Sequence, residues 1–386
     1  EVDDRSVAQF RDRSTGRIVA EQSAGRGVPR ALCPNGVFVL SQFDVPVLWN
    51  ARTGQVVRRF EDHHRFRGVA NGRSAISADG THVALAGDTL RLIEVSSGRT
   101  LKEFPAASSR MTLFSLDGKW LVWCNYDTVF FWDLVANREP RAPLKDPVSL
   151  NLGLALSPDC SMLATTSGSQ VVLWDLRSNT QRRLQASYLV STNVPRSPRP
   201  VFNADGSKLA AVTQNGPIRV WDTKSGEQLL EACYLPGTPR PLGYYSWHGE
   251  LLLTRSSGRG VRLWKTDDEP EKILRGHSDY VYPVAFSQDG AMIASGSWDH
   301  TVRLWDARTS EPIAVLRGHS GPVLDLAFEP NGHSLASASR DGSVLIRDIR
   351  TGSLLRRLDI GQGVLEFTPD GDRLLICDEG IAVFDS

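Results

Sequence analysis

The sequence predicts an all-β chain, a β-propeller of four-stranded antiparallel blades, and three observations predict it. A marker position recurs at Phe10, Trp49, Ile93, Trp132, Trp174, Trp221, Trp264, Trp305, Arg347 and Phe384, at a mean spacing of about 42 residues. Asp-Gly or Asn-Gly turns recur in seven of the repeats. No stretch shows the apolar period of an amphipathic helix.

Each repeat reads in the same order. A short and often Arg-rich segment comes first, such as "QVVRRF" or "SLLRRL". An apolar strand such as "PVAFS" or "LDLAFE" follows. Next is a turn: "CPNG", "SADG", "SLDG", "SPDC", "NADG", "SQDG", "EPNG" or "TPDG". Such turns supply the positive φ that a tight hairpin needs. An alternating strand such as "HVALAG" or "MIASGS" leads to a third, "VVLWD" or "IRVWD". Then "ARTGQ" or "TKSGE" turns the chain outward. A lone four-stranded sheet cannot bury both faces. Radial stacking buries each sheet against its neighbours, and the recurring Trp is a large apolar plate for that interface.

These motifs resemble the WD-repeat family of β-propellers, from about Ser6 to Asp385. The most specific stretch is Arg275 to Asp348, "RGHSDYVYPVAFSQDGAMIASGSWDHTVRLWD" followed by "RGHSGPVLDLAFEPNGHSLASASRDGSVLIRD". About nine repeats can be counted. "SVAQFRD" at the start reads as an extra third strand, and "IAVFDS" at the end is also a third strand. Counting seven repeats back from the end puts the opening outer strand at Arg99–Phe104. The expected organisation is therefore two blades over 1–98, left from a preceding propeller, and a seven-bladed propeller over 99–386. A single eight- or nine-bladed ring is the alternative. The start, "EVDDRSVAQF", suggests a piece of something longer.

Within "ASGSWDHTVRLWD", Ser295, Asp299 and the upstream His277 raise the question of a hydrolase triad. The resemblance implies instead a buried network of His277, Ser295, Asp299 and Trp305. Elementary chemistry agrees, because an Asp–His–Ser–Trp chain satisfies every polar group inside a packed blade. A nucleophilic Ser would need exposure and oxyanion donors, and the chain has no G-x-S-x-G elbow. The next repeat keeps His319, Ser337 and Asp341 but has Arg347 in the Trp position. With one complete tetrad, the other blades are expected to rely on apolar packing.

Other chemistry is not signalled. Nucleotide, zinc-protease and EF-hand motifs are missing from the sequence, so no cofactor, metal or catalytic residue is expected. His63 and His64 read as a solvated loop. Lys plus Arg equals Asp plus Glu at 44 each, which gives no global attraction to nucleic acid or anionic membrane. With seven Lys, 44 − 7 leaves 37 Arg, a skew that suits forked pairing at interfaces and that codon bias would equally produce. Five Cys without a C-x-x-C pair fit reduced thiols and a cytoplasmic location. No apolar run approaches a membrane span of about 18 residues.

The resemblance implies partner binding on the face formed by loops entering the first strand and loops joining the second to the third. Positions there are Tyr280, Tyr282 and Trp298, with Pro322, Leu324 and Arg340 in the next repeat. Aromatic residues and Arg are interface anchors. Two loops, "NVPRSPRP" and "YLPGTPRP", add Arg196, Arg199 and Arg240, suited to an acidic or phosphorylated peptide. The pairs Arg58-Arg59, Arg182-Arg183 and Arg356-Arg357 read as charges guarding sheet edges. The expected function is a non-catalytic protein–protein interaction scaffold, the regulatory or partner-binding part of a larger chain or complex. The alternatives are a propeller enzyme using the central channel, and a nucleic-acid-binding propeller.

Overall fold

The computed structural model describes residues 7–11, 18–23, 29–32, 38–41, 46–50, 55–60, 74–86, 89–104, 111–125, 127–145, 150–167, 170–184, 200–212, 218–232, 245–248, 251–255, 259–265, 272–359, 363–368, 370–377 and 381–385. All regular elements among them are β-strands. The chain divides into two compact units, one of residues 1–5 and 24–233, the other of 6–23 and 234–386.

In chain order the strands begin with β1 (Val7–Arg11) and β2 (Ile18–Ser23), which belong to the second unit. The first unit holds five sheets of four strands each. They are β3 (Pro29–Leu32), β4 (Phe38–Ser41), β5 (Val47–Asn50) and β6 (Val56–Arg59); β7 (Ala75–Ile76), β8 (His82–Ala86), β9 (Leu90–Glu94) and β10 (Thr100–Phe104); β11 (Met111–Phe114), β12 (Trp120–Cys124), β13 (Thr128–Asp133) and β14 (Leu144–Lys145); β15 (Leu150–Leu156), β16 (Met162–Ser167), β17 (Gln170–Asp175) and β18 (Thr180–Leu184); and β19 (Val201–Phe202), β20 (Lys208–Val212), β21 (Ile218–Asp222) and β22 (Gln228–Ala232).

The second unit holds three more four-stranded sheets and one of five strands. The former are β23 (Tyr245–His248), β24 (Leu251–Arg255), β25 (Gly260–Lys265) and β26 (Lys272–Arg275); β27 (Val281–Phe286), β28 (Met292–Ser297), β29 (Val302–Asp306) and β30 (Pro312–Leu316); and β31 (Val323–Phe328), β32 (Ser334–Ser339), β33 (Ser343–Asp348) and β34 (Leu354–Asp359). The last contains β35 (Val364–Phe367), β36 (Arg373–Cys377) and β37 (Ile381–Asp385), extended by β1 and β2.

Every four-stranded sheet runs in simple chain order with antiparallel neighbours. The five-stranded sheet departs from that. β1 lies parallel to β37, with Gln9 opposite Ala382, and β2 then pairs antiparallel with β1. The opening "SVAQFRD" is thus not the third strand of a blade of its own; it extends the sheet that ends the chain. The expected domain boundary at residue 98 falls between β9 and β10, which the structure keeps paired in one sheet. Arg99–Phe104 includes β10, the last strand of the sheet β7–β10.

The turns explain why the hairpins form where they do. In "SADG", Ser77 Oγ donates to Asp79 Oδ1 at 2.6 Å and Thr81 N–H to the same oxygen at 3.0 Å. Gly80 then takes φ +73°. Ser115–Asp117, Ser157–Asp159, Ser287–Asp289 and Thr368–Asp370 repeat the hydroxyl–carboxylate bond. At Asp159, hydrogen bonds from Ser157 and Ser161 hold the carboxyl near pKa 2. The turn "EPNG" inverts the chemistry: Glu329 supplies the carboxylate and Asn331 donates to it at 2.8 Å.

Core clusters form between consecutive sheets. In the second unit, Leu253, Val261 and Leu274 pack with Val281, Ile293 and Trp305. Ala294, Val302 and Leu316 pack with Val323, Leu326 and Leu335. In the first unit the marker residues Ile93, Trp132, Trp174 and Trp221 each sit in such a shared cluster.

Candidate functional site

The loop end of the sheet β27–β30 is built on the "RGHSDY" segment. The structure brings His277, Ser295, Asp299 and Trp305 together. His277 Nδ1 lies 2.9 Å from Asp299 Oδ2, and its Nε2 lies 2.9 Å from Ser295 Oγ. The Trp305 indole N–H donates to the same Ser295 oxygen at 2.9 Å. These partners fix the proton order. A neutral imidazole donates from Nδ1 to the carboxylate and accepts the Ser hydroxyl at Nε2. Burial holds His277 below the ordinary histidine pKa, against the pull of Asp299. Burial also opposes the Asp299 charge, but bonds from Thr301, the Ser278 N–H and His277 outweigh it and bring its pKa to about 2.

The geometry argues against nucleophilic work. Ser295 is wholly buried, its proton points to His277, and its lone pair is occupied by the Trp305 indole. An attacking oxygen would need that lone pair and access to substrate.

The following sheet carries a reduced copy. His319 Nε2 is 2.8 Å from Ser337 Oγ, and Nδ1 is 3.2 Å from Asp341 Oδ2. The Ser320 N–H donates to the same carboxylate at 2.7 Å. Burial lowers the His319 pKa. Arg347, in the Trp position, reaches Gly352 O at 3.0 Å and also bonds Arg317 O. Sequence reasoning missed a third, shorter version: Trp174 Nε1 donates to Thr165 Oγ1 at 3.1 Å without any histidine. The Thr in "TTSGSQVVLWD" occupies the register of Ser295 and was the available signal.

The network holds two loops at one end of the sheet. The Trp298 N–H donates to Tyr280 O at 2.8 Å, and Ser297 Oγ donates to Asp279 O at 3.1 Å. In the next sheet the Arg340 N–H donates to Pro322 O at 2.8 Å, and Ser339 Oγ to Gly321 O at 2.9 Å. Tyr280 and Trp298 are 47% and 43% exposed, with their rings edge to face at 6.2 Å. Arg340 is exposed; Tyr282, Pro322 and Leu324 are half-buried. Arg196, Arg199 and Arg240 lie outside the described residues, as do His63 and His64.

The outer-strand arginines do more than guard edges. Arg58 donates from Nε to Val95 O at 2.9 Å and from Nη2 to Ser96 O at 2.8 Å, in the turn after β9 of the next sheet. Arg182 likewise reaches Lys224 O at 2.9 Å, in the turn after β21. Arg59 is the exposed member of its pair, whereas Arg182 and Arg183 are both exposed.

Among the described residues, no group of three or more His, Cys, Asp or Glu is placed to hold a metal ion. Among the same residues, no helix is long and apolar enough to cross a membrane.

Comparison with known proteins agrees with this architecture. Residues 268–306 and 310–348 match the family model of the WD domain, G-beta repeat. The chain is 35% identical over 107 residues to WD repeat and SOCS box-containing protein 1 of Xenopus tropicalis and of Homo sapiens, over 27% of this chain and 25% of each relative. It thus spans about a quarter of the length of the curated relatives it matches. The crystal structure of the computationally designed Ika8 protein superimposes with a TM-score of 0.56 at 16% identity, covering 98% of this chain and all of that one, a likeness of fold alone. Sheets of four antiparallel strands, packed through shared Trp clusters, define an all-β propeller protein. The two matched repeats, and the stretch shared with these relatives, are similar to WD repeats. WD repeat proteins are generally protein-interaction scaffolds.

Proposed function

We propose that this chain is a non-catalytic scaffold that binds a protein or peptide partner through the loop end of the sheets β27–β30 and β31–β34, as the regulatory part of a cytoplasmic assembly. The observation that carries this reading is the solvent-open pair Tyr280 and Trp298, held edge to face on loops that the buried His277 network fixes from beneath. Rigid aromatic side chains bind at low entropic cost. Tyr282, Pro322 and Leu324 add apolar surface, and Arg340 adds a forked donor for a carboxylate or carbonyl. Arg196, Arg199 and Arg240 are assigned to the partner surface by sequence alone.

The test is a pull-down from source lysate. It compares the chain with its Tyr280→Ala, Tyr282→Ala, Trp298→Ala triple variant, after circular dichroism has shown both to be folded. A partner captured by the parent and lost from the variant supports the assignment. Equal capture by both refutes it.

A further inference from the structure

The last strand of each sheet presents an edge, and this chain charges nearly all of them. β2, β6, β10, β14, β18, β22, β26 and β34 each contain Lys, Arg, Asp or Glu. β30, Pro312 to Leu316, reads "PIAVL" and contains none. Ile313 is 50% exposed on it and Val315 38%. β34 also exposes Leu354 and Leu355, but Arg356 and Arg357 follow in the same strand. An uncharged apolar edge is a template for pairing with another strand.

The flanking charges identify the strand that fits. Glu311 precedes β30 and Arg317 follows it, and both are exposed. Laid antiparallel against a second copy with Ala314 opposite Ala314, the edge sets Glu311 against Arg317 at both ends. The same register sets Ile313 against Val315 twice, and apolar and opposite-charge cross-strand pairs both stabilise a ladder. Moving the two-fold centre to Ile313 or Val315 loses the ion pairs. A parallel, in-register stack sets Glu311 on Glu311 and Arg317 on Arg317, which opposes open-ended growth. The bulge where β30 meets Leu304 and Trp305, together with Pro312, shortens the ladder.

We infer that β30 is the self-association edge of this protein, pairing antiparallel with the β30 of a second copy about a two-fold axis at Ala314. A symmetric contact of this kind closes as a dimer. Its small area makes the dimer weak and dependent on concentration.

Sedimentation equilibrium on the full chain tests this. The parent is expected to pass from monomer to dimer as concentration rises. Val315→Lys is expected to raise the dissociation constant by about tenfold or more, through like charges and lost apolar contact across the axis. Glu311→Arg is expected to weaken the dimer, and adding Arg317→Glu is expected to restore it. That rescue separates pairing from a folding defect. A parent that stays monomeric up to its solubility limit overturns the inference. So does a dimer indifferent to these changes, or assembly into species larger than a dimer.

Discussion

The Trp305 indole and the Ser295 hydroxyl meet at 2.9 Å inside a sheet where both are almost wholly buried. Removing that hydroxyl strands two groups at once, the indole N–H and the acceptor nitrogen of His277. Ser295→Ala is expected to cost about 2–4 kcal/mol, since each buried polar group left unpaired costs roughly 1–3 kcal/mol. Ser337→Ala should cost less, because Arg347 replaces the indole donor there and its guanidinium is engaged elsewhere. Urea unfolding of the two variants, followed by tryptophan fluorescence, ranks them.

Acid should weaken the network. His277 and His319 are held below their ordinary value of 6.5, chiefly by burial. Between the lowered native value and about 6.5, the unfolded chain binds more protons, so stability rises with pH there. The contribution is complete above about pH 6.5 and lost as the pH falls beneath it. Melting temperatures from pH 8 to 5 should drop on the acid side, and the drop should be smaller in His277→Gln.

Asp325 works in the opposite sense. Burial pushes its pKa to about 6, although its Oδ2 accepts the Leu365 N–H at 2.7 Å. The native chain therefore holds this proton where the unfolded chain has released it. The resulting stability is present below about pH 3.8 and is lost as the pH rises through about 6. Asp325→Asn keeps an acceptor for Leu365 and carries no charge. It should raise the melting temperature at pH 7.5 and leave it unchanged at pH 4.

Arg58 and Arg59 provide a controlled pair. Arg58→Ala loses both bonds to the turn after β9 and is expected to cost about 1 kcal/mol, a charged hydrogen bond discounted for exposure. Arg59→Ala is expected to stay within about 0.5 kcal/mol of the parent, as exposed surface changes usually do. Thermal melts at equal ionic strength compare them. Equal losses would return both residues to the edge-guard reading.

Much of the blade architecture is legible in the sequence because it is periodic. The turn at Ser77–Gly80 and the marker at Trp305 each repeat a local chemical requirement, so each can be read without its distant neighbours. The links between sheets are less legible. Nothing in "QVVRRF" distinguishes Arg58 from Arg59; only the position of the Val95 and Ser96 carbonyls does. The partner of "VAQFR" could not be read, since its pairing with β37 depends on residues at the other end of the chain. The residue types at Tyr280 and Trp298 could be read from the sequence, while the chemistry of the partner proposed for them is written in another molecule.

The parallel pairing of β1 with β37 has a consequence for the order of assembly. Gln9 and Ala382 are some 370 residues apart in sequence yet adjacent in one sheet. Contacts of such separation form late, because a long loop must close before any bond rewards it. During synthesis the first strand waits, unpaired on one edge, until β37 has left the ribosome. The sheets between them each have their four strands in sequence and can form as they emerge. The sheet that pairs β1 with β37 is thus completed only after all the sheets between them have been synthesised.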